Sequence, residues 1–526
     1  MNRLPVIDIL VIIIYFISMI LMGVYLGRKN KSAAQFTTAS GRIPGWAIGM
    51  SLFGTYLSSN TFIGNPGKAF GSNWNSFVFT LTLPIAAVIA VKFLIPFFRK
   101  TGEISAYEHL EKKFGPWART YTVVCFLLTQ LARTGTIFLG VGLTLNALTG
   151  FDIRLIILIT GIVVTLYTVI GGMEAVIWTE VVQSVIKTAG AVLVLVIVIV
   201  SVQGGVSEIY NVSVASDKLS LGSTKIDFTT DTFWVIFLYG LLINLTNFGV
   251  DQNYVQRYHA APTVKEASKS LWLCVYLYLP SSLMFFLIGT CLYTYYQQHS
   301  DLLMQVKQQV ASIQLGLGAT PEAIATKAAG LTDADIGDKV LPHFIVSRLP
   351  AGVVGLIFAA ILSAAMGTIS SGFNSSATIY MIDIHKRYIN KKINDRQQLR
   401  ILYFATIIIG LIATGVGMSI VGANSVLDLW WKLSGIFAGG MLGIFSLSML
   451  ARHARKSAVL IAVINGTLII LWMVFSKSEM FPPAFRNPLH ANMTIVVGAL
   501  SIFLTGWTLR KLQKPAIVQV IASGKT

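Results

Sequence analysis

Residues 51–62 read SLFGTYLSSNTF, and residues 244–253 read NLTNFGVDQN. Each stretch lies within an apolar run of about 20 residues or more, long enough to cross a bilayer. Each is nonetheless crowded with glycine and hydrogen-bonding side chains. Against lipid such a stretch is unfavourable, because freed backbone groups find no water there. It becomes favourable where unwound backbone lines a cavity. Small and polar residues also line ordinary helix contacts in membranes. That explains Gly54 or Ser58 singly, but it explains two clusters at matching positions poorly. Paired interrupted helices in corresponding positions of two halves point to a transporter binding site.

The rest of the chain fits this reading. Of its 526 residues, 54% are hydrophobic and 12% charged, about half the charge of a soluble domain at ~25%. Mean hydropathy is +0.71. Disorder, collagen and a disulfide scaffold are excluded, and Cys125, Cys274 and Cys291 lie in apolar stretches. Thirteen apolar windows stand out, near 6–26, 44–71, 74–98, 118–148, 153–173, 175–202, 231–256, 267–297, 348–384, 398–420, 424–450, 456–476 and 491–509. The first is too long for the apolar core of a signal peptide, so it is read as a mature helix.

The polar clusters fall in the second and seventh windows. A repeat of five helices, being odd, inserts upside down relative to its partner. The expected fold is an all-α membrane protein of 13 transmembrane helices forming one transporter domain over 1–526. It comprises a leading helix (6–26), two inverted five-helix repeats (44–202 and 231–450) and two trailing helices (456–509). The polar connectors 203–230 and 298–347 are too small to be domains, although 301–313 and 320–329 are helix-compatible.

The formal net charge of +18 could suggest nucleic acid, but its placement argues otherwise. Alternate connectors (27–43, 99–119, 256–270, 385–400, 451–456 and 510–526) carry 25 Lys and Arg, and the opposite side carries 11. The positive-inside rule makes the first side cytoplasmic. The N-terminus is then outside and the C-terminus inside, in the cell (inner, cytoplasmic) membrane, with no nucleic-acid partner. Loop 385–400 is a topology anchor.

Four basic residues fall within spans, where charge costs several kcal/mol. Lys92 lies close enough to Arg99 and Lys100 to snorkel. Lys432 lies about one turn inside the outer end of its helix, and either snorkels or touches a solute or gate. Arg133, in LLTQLARTGTIF, sits mid-span; its fork suits a carboxylate, and the competing reading is a carbonyl cluster at a helix break. Lys187 follows Glu180 by seven residues and shares its helix face.

An intramembrane enzyme would need a nucleophile–base pair or metal ligands. No histidine lies mid-span, and no HExxH or GxSxG occurs, so no catalytic residues are assigned. A channel would show a charged ring or pore loop, and a sensor a signalling domain.

Four motifs carry a resemblance to a known family: SLFGTYLSSNTF (51–62), YTVIGGMEAVIWTEVVQ (167–183), DQNYVQRY (251–258) and GLIFAAILSAAMGTISSGFNSSATIY (355–380). Over about residues 1–510 the chain resembles the sodium/solute symporters. Its closest likeness is to their bacterial sialic-acid branch, chiefly through Arg133. The resemblance implies Na⁺-coupled symport of a small polar solute, such as a sialic acid or other carboxylated sugar, by a protein functional as a monomer.

It also implies a sodium site made of the Gly54, Leu57 and Ala364 carbonyls with side-chain oxygens at 367 and 368. This chain has Gly367 and Thr368 there, so one hydroxyl is missing. Ser370 and Ser371 match a second sodium site, with Glu180 in place of the usual Asp. For the solute, the implied set is Ser58, Asn60, Thr61, Thr80, Arg133, Asn244, Asn247 and Phe248. Asn244 matches a sugar-binding asparagine of the galactose-transporting branch, and Phe248 would stack on a sugar or close the cytoplasmic side. Tyr56 and Thr80 depart from the sialic-acid branch, which has a hydroxyl and a glutamine there. The alternative is a neutral sugar or polyol symporter, coupled to protons through Lys187 in the vacated sodium space, or an uncoupled uniporter.

Overall fold

The structure is a computed structural model and describes residues 5–28, 32–316, 318–423, 425–451, 454–477 and 481–512. Among these, every regular element is a helix. The chain ends, and with them the basic residues Lys514 and Lys525 counted above, lie outside the described residues. Among the described residues, ten helices are long and apolar enough to cross a membrane, and a bent pair would make an eleventh.

In chain order, the leading helix α1 spans Val6–Gly27. Next come α2 (Gly45–Tyr56) and α3 (Ser59–Gly71), which flank the first polar cluster. The segment Trp74–Thr101 is α4, followed by α5 (Pro116–Thr149) and α6 (Ile153–Ser201). The bent pair is α7 (Phe233–Gly249) and α8 (Gln252–Ala260), at 44°. Then follow α9 (Val264–Gln297), α10 (Val353–Ile379), α11 (Asp395–Ser419) and α12 (Val426–Leu450). The last two are α13 (Lys456–Phe475) and α14 (Met493–Leu512).

Two features separate this count from the thirteen windows. At 1.5 Å per residue, the 49 residues of α6 would reach more than twice the ~30 Å hydrocarbon thickness. The chain turns inside it at Gly172, with φ 60° and ψ −170°, a conformation essentially restricted to glycine. The second feature is the α2–α3 break, whose halves are each too short to be counted.

Burial orders the layers. Nearly every residue of α10 is buried, as expected of a central helix built from Ala, Gly and Ser. By contrast, α1 buries only Asp8, Tyr15, Met19 and Gly23. It is pinned to the centre by Asp8, whose Oδ1 accepts the Gly352 and Gly355 N–H groups at 2.7 and 2.6 Å, at the start of α10. That carboxylate meets unpaired amides and a positive dipole end.

On the face read as cytoplasmic, Glu111, Arg119, Asp383 and Arg387 form one ionic cluster. Connector 298–347 holds the two expected helices, Ser300–Leu315 and Pro321–Ala329, and a third, Asp333–Arg348. The third helix is tied to α12 by Asp338, whose Oδ2 accepts the Val426 N–H at 2.6 Å.

Candidate solute and ion site

The first break falls at Leu57 (φ −86°, ψ 87°), which leaves the helical region, and Ser58 (φ −96°, ψ 176°), which is extended. A helix end leaves carbonyls without partners, and here other helices supply the donors. Lys187 Nζ, from α6, donates to the Gly54 carbonyl at 2.7 Å and to that of Leu57 at 3.0 Å. Arg133 Nη2, from α5, donates to the Thr55 carbonyl at 2.9 Å, which also accepts the Thr368 hydroxyl at 3.2 Å. Cations are favoured at the negative end of a helix dipole.

A cavity of about 50 Å³ opens beside this break, room for about three to five waters at 10–15 Å³ each. Of the expected residues, Ser58, Asn60, Thr61, Thr80, Arg133 and Asn247 line it. Asn60 Nδ2 donates to Thr136 Oγ1 at 2.9 Å, whereas no protein donor reaches its buried Oδ1 among the described residues. The remaining wall is largely aromatic: Tyr56, Phe79, Tyr278, Trp430 and Trp431. Sequence reading passed over most of these, because an aromatic in an apolar helix looks like core. The Arg133 guanidinium also lies 5.8 Å from the Trp430 ring and 4.0 Å from Asp251 Oδ2.

The second break corrects an expectation. The polar cluster places the break near 244–249, whereas α7 continues through Gly249 and the turn comes just beyond, at Val250 and Asp251. The Thr246 carbonyl accepts both the Val250 and Asp251 N–H groups, at 2.8 and 2.9 Å. Asp251 Oδ1 then caps α8 through the Asn253 N–H at 2.8 Å.

Two expected solute contacts do not reach the cavity. Asn244 spends its amide on Thr82 Oγ1 (2.9 Å) and the Phe79 carbonyl (3.2 Å), and its Oδ1 accepts the Tyr56 hydroxyl. Phe248 is fully buried, with its ring against those of Tyr56 and Tyr254 at 5.9 and 5.7 Å. Asn247 remains on the cavity and donates to Tyr56 Oη at 3.1 Å.

The residues expected to bind ions are engaged with one another. Glu180 Oε1 accepts Thr55 Oγ1 and Ser371 Oγ, both at 2.7 Å. Its Oε2 accepts Ser51 Oγ and Arg257 Nη2, the latter at 2.7 Å. Ser370 Oγ turns to the Gly367 carbonyl at 3.0 Å. Arg257 also donates to Ser371 Oγ (2.5 Å) and the Asn253 carbonyl (2.7 Å), and it is fully buried. Its place beside the cytoplasmic connector hid it among the loop charges, although the DQNYVQRY motif contained it. Lys432 and Lys92 are exposed at the protein surface, so Lys432 makes no cavity contact and fits the snorkelling reading.

Comparison with known proteins bears on this site. Residues 36–466 match the model of the sodium:solute symporter family. The sodium/sialic acid symporter SiaT of Proteus mirabilis is 30% identical over 95% of this chain and 94% of its own. NanT of Aliivibrio fischeri, also a sodium/sialic acid symporter, is 31% identical over 93% and 91%. The solved substrate-bound, outward-open structure of a Na⁺-coupled sialic acid symporter superposes with a TM-score of 0.83 at 29% identity, covering 97% of this chain and 98% of that one. The chain is therefore a membrane transporter, not an enzyme, of the sodium:solute symporter family, with Na⁺ as the family's coupling ion.

Proposed function

We propose that this protein carries a small carboxylated sugar of the sialic-acid class into the cytoplasm, as a secondary active symporter coupled to Na⁺. One observation carries the solute class. A mid-helix arginine, Arg133, and the hydroxyl and amide groups of Ser58, Asn60, Thr61 and Asn247 converge on a single cavity walled by aromatic rings. The arginine suits a carboxylate, the open Asn60 Oδ1 suits a solute hydroxyl or amide N–H, and the rings suit the apolar face of a sugar. The named relatives, sodium/sialic acid symporters over nearly their whole length, support the same solute and ion. At about 50 Å³ the cavity is closed down around the site, so a sugar acid enters only as the walls part.

The same reading joins α2 with α3, and α7 with α8, into single broken spans and divides α6 at Gly172 into two. That gives thirteen spans in two inverted five-helix repeats, over 44–202 and 231–450, behind one leading helix and ahead of two trailing ones. The N-terminus lies outside and the C-terminus in the cytoplasm. The unit is a monomer in the cell membrane.

A neutral sugar or polyol is the second reading, favoured by the bond Arg133 already makes to Thr55. Uptake of labelled N-acetylneuraminate into proteoliposomes, with sugars and polyols as competitors, decides between them. Concentrative uptake displaced by sugar acids alone is expected. Absence of N-acetylneuraminate uptake together with concentrative uptake of a labelled neutral sugar would establish the second reading.

A further inference from the structure

The sodium site that the family implies between the α2–α3 break and α10 does not fit a sodium ion in this chain. Its five positions are Gly54, Leu57, Ala364, Gly367 and Thr368. The Gly54 and Leu57 carbonyls both accept from Lys187 Nζ, at 2.7 and 3.0 Å. The Ala364 carbonyl accepts the Thr368 hydroxyl at 3.2 Å, and that hydroxyl also reaches the Thr55 carbonyl. Gly367 brings no side-chain oxygen, and a larger residue there would have to displace the Gln183 amide. A β-carbon there would stand 2.6 Å from Gln183 Oε1 and 3.2 Å from Glu180 Cγ.

We propose that the Lys187 ammonium is a tethered substitute for the sodium ion of this site, so that the α2–α3 break is held against α6 by a charge belonging to the protein. The inference rests on the symporter reading for the identity of the ion and departs from it in where that ion can bind. The chemistry is that of an exchange of like for like. Both cations are monovalent, and both answer carbonyls left open by a helix end. Lys187 is fully buried, and a buried charge persists only where it is paired or hydrogen-bonded. The nearest carboxylate on its own helix face, Glu180, is engaged by Arg257 and three hydroxyls. The break carbonyls are therefore what holds the ammonium. A sodium ion on the same two carbonyls would stand against that ammonium and be repelled by it. Coupling through this position is lost, and any sodium dependence of transport arises elsewhere in the molecule.

The test is the melting temperature of the purified full chain in NaCl and in choline chloride at equal ionic strength, with no solute present. Lys187→Ala frees two carbonyls and opens space between them. The sodium-minus-choline difference is expected to grow in this variant by about 3–5 °C over wild type, because an ion that binds only the folded state stabilises it. K⁺ is expected not to replace Na⁺. A difference equal to or smaller than that of wild type would overturn the proposal.

If Lys187→Ala does not fold, Thr368→Ala answers the same question. The proposal expects its sodium-minus-choline difference to stay at the wild-type value. A fall would show that Thr368 ligates sodium in the wild-type protein and would overturn the substitution. No sugar enters either measurement, so failure of the solute reading in the uptake assay leaves this result standing, and the reverse holds too.

Discussion

At the first break, between Tyr56 and Ser59, the freed carbonyls take donors from three distant helices, and two of those donors are the cations Lys187 and Arg133. At the second, between Gly249 and Gln252, most donors come from the chain on either side of the turn. The Thr246 carbonyl accepts two successive N–H groups and Asp251 caps the next helix. The hydroxyls of Tyr258 and Tyr107 reach the Phe248 and Val250 carbonyls, each at 3.0 Å. Two clusters that look alike on paper thus differ in kind. The first is an open helix end answered by side chains that can move independently of it. The second is a turn closed by its own backbone and cap, while its side chains Asn244, Asn247 and Gln252 bond to other elements. Cavity and candidate ion position both adjoin the first, where charge and hydrogen-bonding capacity are held by removable partners.

The largest expected effect comes from the helix after the second break. Arg257→Met leaves the Glu180 carboxylate buried without its partner. Breaking a buried pair in this way costs about 3–5 kcal/mol, enough to remove most folded protein from a size-exclusion profile. Glu180→Gln combined with Arg257→Met is expected to recover part of that loss. Equal losses in the single and double variants would show that the pair does not anchor α8 to α6.

Next is Arg133→Lys, which keeps the charge and loses the fork. Uptake of a sugar acid is expected to fall about 100-fold in kcat/KM if a bidentate contact is lost, with neutral sugars little affected. Undiminished sugar-acid transport would mean that Arg133 serves only the Thr55 carbonyl, and the first break would then resemble the second.

The two asparagines of α7 separate the regions more finely. Asn247→Ala should weaken solute binding, and Asn244→Ala should lower the melting temperature without touching affinity beyond its support of Tyr56. Each loss is expected to be about 1–2 kcal/mol, the scale of an unmet buried hydrogen bond. Calorimetry with solute and a thermal melt without it read the two effects separately.

The smallest effect is at the Gly71 end of α3, where Lys68 pairs with Asp428 of α12 at 2.7 Å and both side chains are partly exposed. Lys68→Ala is expected to change stability by under about 1 kcal/mol, less at high salt. A larger loss in uptake than in melting temperature would mark the pair as a latch over the cavity mouth.

Composition and periodicity alone determined that this is a polytopic helical membrane protein, because low charge and ~20-residue apolar runs leave few other solutions. The two polar clusters located the breaks to within a few residues, since carbonyls and amides cannot face lipid unpaired. Lys187 was legible as an oddity for the same reason, since a mid-membrane charge requires compensation, whereas the missing hydroxyl at Gly367 was implied only by the family resemblance. Only the tertiary structure decided which groups compensate which. Asn244 and Asn247 lie three residues apart on one helix, yet one is consumed by Thr82 and Phe79 and the other lines the cavity. Arg257 read as a loop charge, and only packing against α6 and α10 buried it on Glu180. The pairing of Lys187 with the Gly54 and Leu57 carbonyls joins residues 130 or more apart in sequence. Hydrogen bonds of that range are set by how helices cross, and no local pattern records the crossing.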